Sequence, residues 1–466
     1  MQSETPVIKD IVLVGGGHSH VSVLRMFAMK RLPGVRLTVV CRDVHTPYSG
    51  MLPGLIAGHY EFDETHIDLE RLCRFAGARF YRDEVVDLQL GQQQVLCANR
   101  PAIPYDLLSI NIGSAPNTAS VEGAAEHVIP VKPIDRFLAH WQRLEARLME
   151  TEDDVRVGVV GGGAGGVELL LCVQYRLSER LKAQGRNAGR LHFHLVAGPD
   201  RILSMHNPRV SAKFERLLAE RNVQTHSGQS VVKVSRGKLH FDDASALALD
   251  EILWVTSAGP QKWVENTGLA VDDAGFMRVD STLQSTSHRG VFAAGDIASV
   301  AGQPRPKSGV FAVRQGPPLY RNLRRAALGK PLQPFAAQRN FLSLISTGNK
   351  YAVASRADWA LEGAYLWRLK DWIDRRFMAK FGDLPEMPEE AGAKIARGLA
   401  GREVIKEISA LAMRCGGCGA KVGATVLNRA IGMLKPVERE DVLIGLHAPD
   451  DAAVVEVPEG KVMVHT

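Results

Sequence analysis

At 466 residues, and about 150 residues per domain, the chain has room for roughly three domains and a sizeable core, which excludes a lone small module. Apolar content of 45% and charged content of 23% match globular averages and exclude a largely disordered or fibrous chain. The 57 Lys and Arg against 51 Asp and Glu leave a net charge of +6 spread along the chain, which favours anionic ligands or a membrane surface over dedicated nucleic-acid binding.

The opening MQSETPVIKD lacks a basic stretch followed by an apolar one, so no secretory leader is read there and a cytoplasmic location is expected. Strand, glycine turn and helix follow at once: Ile11–Val14, then Gly15-Gly16-Gly17-His18-Ser19-His20, a helix over Val21–Met29 and a second strand over Arg36–Cys41. The pattern recurs one domain later, with Val157–Val160 running into Gly161-Gly162-Gly163-Ala164-Gly165-Gly166, a helix over Val167–Lys182 and a strand over Leu191–Ala197. Each is the opening of a βαβ unit. Three further apolar strands end in small residues: Leu107–Ile112 before Gly113-Ser114, Ile252–Thr256 before Ser257-Ala258-Gly259, and Val291–Ala294 before Gly295-Asp296. Such strand ends line ligand crevices in open α/β sheets.

From Phe335 to Ala354 the pattern turns β-like, and Trp359–Phe381 reads as an aromatic, basic amphipathic helix. In it Leu366, Leu369, Ile373 and Phe377 recur at helical spacing among Arg368, Lys370, Arg375, Arg376 and Lys380. The stripe suits a peripheral membrane contact through residues 359–382, a core face, or a homodimer contact. No run of about 18 apolar residues appears, so spanning the bilayer is not expected. Gly382–Gly392 reads as a linker, a mixed-charge helix runs to about Met413, and a new segment opens at Arg414. It ends in the apolar run Val462-Met463-Val464, a strand pattern without a partner, and the expectation is a last domain cut short. The six cysteines, at positions 41, 73, 97, 172, 415 and 418, do not form a disulfide framework.

In a dinucleotide loop the first glycine permits the tight turn, the second lets backbone approach a pyrophosphate, and the third allows helix and strand to pack closely. The helix N-terminus then offers free N–H groups and a positive dipole end. Two copies, each behind an apolar strand, point to two dinucleotides. The first copy has His20 where the third glycine is expected, which predicts a shifted or splayed helix start. The ribose carboxylate expected about 20 residues on falls at Cys41, with Asp43 the acid beside it; in the second copy it falls at Ala197, with Asp200 and Arg201 just beyond. NADH and NADPH both stay open.

The two loops, the strand ends at Gly113, Gly259 and Gly295-Asp296, and their order resemble the two-dinucleotide flavoprotein reductases, within them the type II NADH dehydrogenase branch, over residues 8 to 382. The resemblance implies an α/β doubly wound architecture: an FAD-binding domain in two parts (1–125 and 261–330) interrupted by an NAD(P)H-binding domain (126–260). A C-terminal interface unit (331–382) and a linker and helix (383–412) follow. By the same resemblance Gly15 and Gly17 cradle the FAD pyrophosphate, Asp296 contacts its ribityl and phosphate region, and Gly161, Gly163 and Gly166 cradle the nicotinamide dinucleotide. Glu168 matches the family's acid near the nicotinamide; a helix-start carboxylate favoured by the dipole fits it as well. Gln315, in a stretch that begins a helix beside the flavin, reads as a catalytic residue or as ordinary packing. His45–Gly54 holds no cysteine, where disulfide reductases of this superfamily carry a redox pair. Hydride is therefore expected to pass from nicotinamide to flavin and directly to a small-molecule acceptor such as a quinone or a selenium compound, with Pro47 and Tyr48 shaping the flavin face.

Cys415-Gly-Gly-Cys418 fits half a zinc site, a redox pair, or a nucleophile on a glycine loop. From Arg414 onward the chain resembles the start of selenide, water dikinase (selenophosphate synthetase). That resemblance implies catalytic roles for Cys418 and Lys421 and metal ligation by Asp450 and Asp451, with Mg2+ and ATP as cofactors if the domain were complete. Position 420, where the family carries a second cysteine, is alanine, and Cys415 lies upstream instead. A phosphotransferase with a regulatory flavoprotein part is the alternative reading of the whole.

Overall fold

A computed structural model of the protein describes residues 6–118, 120–256, 258–338, 341–386, 395–396, 398–401, 442–444 and 454–455. The chain divides into two compact units, Val7–Ala400 and one made of both termini. In the latter the described strands Val442–Ile444 and Val454–Val455 pair antiparallel. Cys415, Cys418, Lys421, Asp450 and Asp451, and the helices expected around them, lie outside the described residues.

Within Val7–Ala400 two parallel five-stranded sheets have the same internal logic. The first runs, edge to edge, Val291–Ala293, Leu107–Ile110, Lys9–Val14, Val35–Cys41, Arg79–Arg82. The second runs Ile129–Pro130, Glu251–Trp254, Val155–Val160, Leu191–Gly198, Val223–Ser227. In each, the strand feeding a glycine loop is central. The edge strand Val291–Ala293 of the first sheet comes after the whole second sheet in sequence, so the second is inserted into the first.

Ile11–Val14 and the Val157–Val160 strand are buried throughout, as expected for parallel strands covered on both faces, and this is why they read as continuous apolar runs. Helix His18–Met29 covers the first sheet and packs against helix Gly309–Ala327. The two approach closely because position 316 is glycine: a Cβ there would stand 2.6 Å from the Ser22 Cβ. Ser19 Oγ donates to Ala312 O across the contact at 2.6 Å.

A three-stranded antiparallel meander, Ser343–Ser346, Ala352–Arg356 and Trp359–Gly363, precedes helix Ala364–Gly382. This corrects the helix expected from Trp359. Residues 359 to 363 pair with Ala352–Arg356 instead, and Gly363, at φ 155°, turns the chain from strand to helix in a conformation that side-chain-bearing residues avoid. The β-like stretch from Phe335 is also shorter than expected, with strand beginning only at Ser343.

Candidate functional site

The first glycine loop is anchored by one side chain. Gly15 sits at φ 88° with its would-be Cβ 2.5 Å from Asn111 O, so both the turn and the close approach demand glycine. Gly17 N donates to Asn111 O at 3.1 Å. Asn111 Oδ1 accepts from Ser19 N and His20 N at 3.2 and 3.3 Å, and its Nδ2 donates to Ala294 O at 2.5 Å. One buried amide thus caps the helix and ties the loop to the edge-strand exit. Asn111→Ala strands the Ser19 N–H and the Ala294 carbonyl, while His20 N keeps its bond to Gly17 O, a loss of about 1–3 kcal/mol to be measured as a lower melting temperature.

His20 does not splay the helix, which starts at His18. Its ring lies buried under the loop, Nδ1 2.6 Å from Gly15 O and Nε2 2.8 Å from Ser109 Oγ. Burial pushes its pKa down to about 4, so the neutral ring donates to Gly15 O and accepts from Ser109. The third-glycine position is filled by a histidine that bonds the first glycine.

At the strand ends facing this loop, Ser114 Oγ donates to Asp296 Oδ2 at 2.9 Å, and Lys132 Nζ lies 3.0 Å from both. Burial works against the Asp296 carboxylate, yet Lys132 and Ser114 hold its pKa below the usual range. Gly113 beside them has no heavy atom within 4 Å of a would-be Cβ. Gln315 is buried, and its Oε1 accepts from Gly295 N at 2.6 Å. Through this bond it holds the Gly295-Asp296 turn. Asp43 follows Val35–Cys41 and pairs with Arg42 at 3.0 Å. Tyr48 packs on Phe377 (ring centroids 4.6 Å apart) and edge-on to His18 (5.4 Å), and its hydroxyl lies beside Asp374.

The second loop follows the glycine rules more closely. Gly161, at φ 137°, has its would-be Cβ 2.6 Å from Val255 O, and any Cβ at Gly166 would overlap the Gly161 carbonyl oxygen. Gly163 faces open space, with nothing within 4 Å. No side chain caps helix Ala164–Ala183, and Thr256 Oγ1, at the neighbouring strand end, is buried without a partner. Gly259 pairs with Ala115, joining the strand exits of the two sheets. In the first cleft Ser308 Oγ is likewise buried and unpartnered. The open face at Gly163, the uncapped start of helix Ala164–Ala183 and the orphaned Thr256 hydroxyl in the second cleft, and the open face at Gly113 with the orphaned Ser308 hydroxyl in the first, are what a pyrophosphate-bearing ligand satisfies, so the residues present fit a dinucleotide in each cleft.

Two residues beyond Gly166, Glu168 points into the protein, where its Oε1 accepts from Ser346 N at 2.8 Å. Burial raises its pKa to about 7, against the opposing pull of Lys370 and Ser346 N–H. Lys370 is one of the cations around the apolar stripe of the amphipathic helix, a stripe whose covering the sequence leaves open. Its side chain is largely withdrawn from solvent, donating to Asp374 at 2.7 Å and to Gly50 O; burial lowers its pKa, but Glu168 and Asp374 reverse that and hold it charged. Asn111, Lys132, Lys370 and Asp374 are the functional candidates that motif reading misses. The one local signal was the opposite charge pair at 370 and 374, four apart on a helix.

Comparison with known proteins agrees with this geometry. The family model described as pyridine nucleotide-disulphide oxidoreductase matches residues 9–316. The NADH dehydrogenase-like protein YutJ of Bacillus subtilis is 25% identical over 366 residues, covering 76% of this chain and 95% of that protein. The type II NADH:quinone oxidoreductase of Haemophilus influenzae is 22% identical, covering 74% and 88%. Among solved structures, NDH2 from Plasmodium falciparum in complex with NADH has a TM-score of 0.67 at 15% identity, covering 80% of this chain and 98% of that one. The sulfide:quinone oxidoreductase of Aquifex aeolicus gives 0.68 at 17%, covering 82% and 93%.

Proposed function

Since the chain belongs to the pyridine nucleotide-disulphide oxidoreductase family and is an FAD-dependent NAD(P)H oxidoreductase, we propose that it transfers electrons from a nicotinamide to a quinone without a disulfide intermediate. The observation that carries this reading is the pair of glycine loops combined with the cysteine-free stretch His45–Gly54, which contains Tyr48. Relatives named as quinone oxidoreductases support the acceptor class.

In this reading residues 1–125 and 261–330 hold FAD through Gly15, Gly17, Asp296 and the strand end at Gly113, and residues 126–260 hold the nicotinamide dinucleotide through Gly161, Gly163 and Gly166. Bound there, FAD supplies the two-electron chemistry that links nicotinamide oxidation to acceptor reduction. Asn111 and Gln315 orient the first loop and its facing turn. Burial brings the Glu168 carboxyl to a pKa of about 7, so it carries its proton below neutral pH and yields it above, with Lys370 favouring the ionised form. Ala197 puts no carboxylate at the second ribose position, and Arg201 is tied to Ser211 and, at 2.6 Å, to His206 O. Arg201 is thus engaged within the protein, and the preference between NADH and NADPH is read by comparing the rates of reduction with each.

No helix among the described residues is long and apolar enough to cross a membrane. Trp359, Leu361, Tyr365, Leu369, Trp372 and Ile373 are nonetheless exposed, Trp359 by 73% and Trp372 by 55%, next to Arg368 and Arg376. This face supports peripheral contact with a lipid surface. Deleting residues 359–382 would remove Lys370 and the buried Asp374 and Phe377 with it, so point changes are the sound test. Wild-type chain is expected to float with anionic vesicles and a Trp359→Ser, Trp372→Ser double variant to stay in the soluble fraction. Equal flotation of both, or loss of a dimeric mass in the variant, assigns the face to another use.

The reading of residues 413–466 as the opening of a selenide, water dikinase rests on a resemblance carried by Cys418, Lys421, Asp450 and Asp451. Its test is Mg2+-dependent binding of ATP by the chain and by Asp451→Ala.

The function itself is tested by an acceptor screen after anaerobic reduction. Quinones are expected to reoxidise the protein far faster than disulfides, and the reverse order would overturn the reading.

A further inference from the structure

Lys132 follows the edge strand Ile129–Pro130 of the second sheet, whereas Asp296 follows the edge strand Val291–Ala293 of the first. Their contact at 3.0 Å therefore reaches from one dinucleotide unit into the other. Asp296 has a side-chain exposure of 13%, and among the described residues Lys132 is the one cation within 4.0 Å of its carboxylate. Ser114 completes a triangle of contacts between 2.9 and 3.0 Å, and His18 faces the same carboxylate, held neutral by burial.

A dinucleotide brings a doubly charged pyrophosphate to this cleft. A carboxylate withdrawn from water and left unneutralised would repel it, since Coulomb energies rise as the local dielectric falls. We propose that Lys132 is a positioning residue of the first cleft: by neutralising Asp296 it lets an anionic dinucleotide settle against that strand end. The inference rests on the FAD assignment above. It adds that a residue from the nicotinamide unit governs flavin retention, a role that no glycine motif marks.

The experiment is titration of the flavin-stripped full chain with FAD, followed by flavin fluorescence. Lys132→Met is expected to raise the Kd about tenfold or more, whereas Lys132→Arg, which keeps the charge, stays within about threefold. In an Asp296→Asn background, where there is no charge to neutralise, Lys132→Met is expected to cause no further loss. Unchanged affinity in Lys132→Met overturns the inference. So does an equal loss in the Asp296→Asn background, because Lys132 would then act independently of Asp296. Rescue by arginine separates this role from a folding defect, and failure by arginine counts against it. If the wild-type chain itself takes up no FAD, the function assignment falls before any variant is made.

Discussion

Gly163→Val gives a protein that keeps its flavin and nearly its melting temperature but needs at least about a hundredfold more NADH for half-reduction, a loss of ~3 kcal/mol in binding. Nothing in the protein lies within 4 Å of the new Cβ, so the fold meets no clash there and the effect on stability is confined to the small N-cap preference for glycine over valine. The added atoms occupy the face that the loop leaves open at the uncapped start of helix Ala164–Ala183, where a pyrophosphate would approach. Gly166→Ala is the contrasting variant: its Cβ overlaps the Gly161 carbonyl, so nicotinamide binding and thermal stability fall together. Stopped-flow reduction and a thermal melt of each variant distinguish the two. A Gly163→Val protein reduced as readily as wild type would remove the second loop from the nicotinamide site.

The second large effect is in the pH dependence. Glu168 titrates at about 7 because burial penalises its charged form. If its proton serves acceptor reduction, the rate falls about tenfold between pH 6 and pH 8, and Glu168→Gln flattens the profile. Removing the opposing ammonium with Lys370→Met moves the midpoint above 7, since Lys370 favours the ionised carboxylate. Stability must follow the same sign. A carboxyl whose folded pKa exceeds its ordinary 4.5 binds more protons folded than unfolded. Its contribution to stability is therefore complete below about pH 4.5 and is lost as pH rises to about 7. Glu168→Gln is thus expected to gain stability relative to wild type at pH 8 but not at pH 5, by denaturant titration at both. A rate profile identical in wild type and Glu168→Gln would leave the residue a purely structural role.

The two glycine loops were legible because their constraint is local: a tight turn, a close backbone approach and an apolar strand before it are all written within about ten residues. Glu168 came with them at a fixed offset. What stayed hidden depends on which way an element faces. The surroundings of Lys370 were not legible because helical spacing shows a face but not what covers it, and the meander and Gly50 cover this one. Trp359–Gly363 was taken into the helix because five residues of mixed polarity fit either period, and the cross-strand partner, Ala352–Arg356, decides. His20 appeared as a defect of the motif until its ring was placed between Gly15 O and Ser109. Gln315 stood out as the residue of a helix start, but the bond that its Oε1 accepts from Gly295 N could not be read from the sequence. Lys132 has no motif at all; it meets Asp296 through a fold in which one sheet is inserted into the other.

The most direct measurement is anaerobic titration of the flavin-loaded chain with NADH before and after exhaustive alkylation of its cysteines. Two nucleotide clefts working without sulfur predict complete bleaching at one equivalent of NADH, with the same course in both samples. A chain that takes up no flavin, or one that NADH reduces only while its thiols are free, would contradict the account.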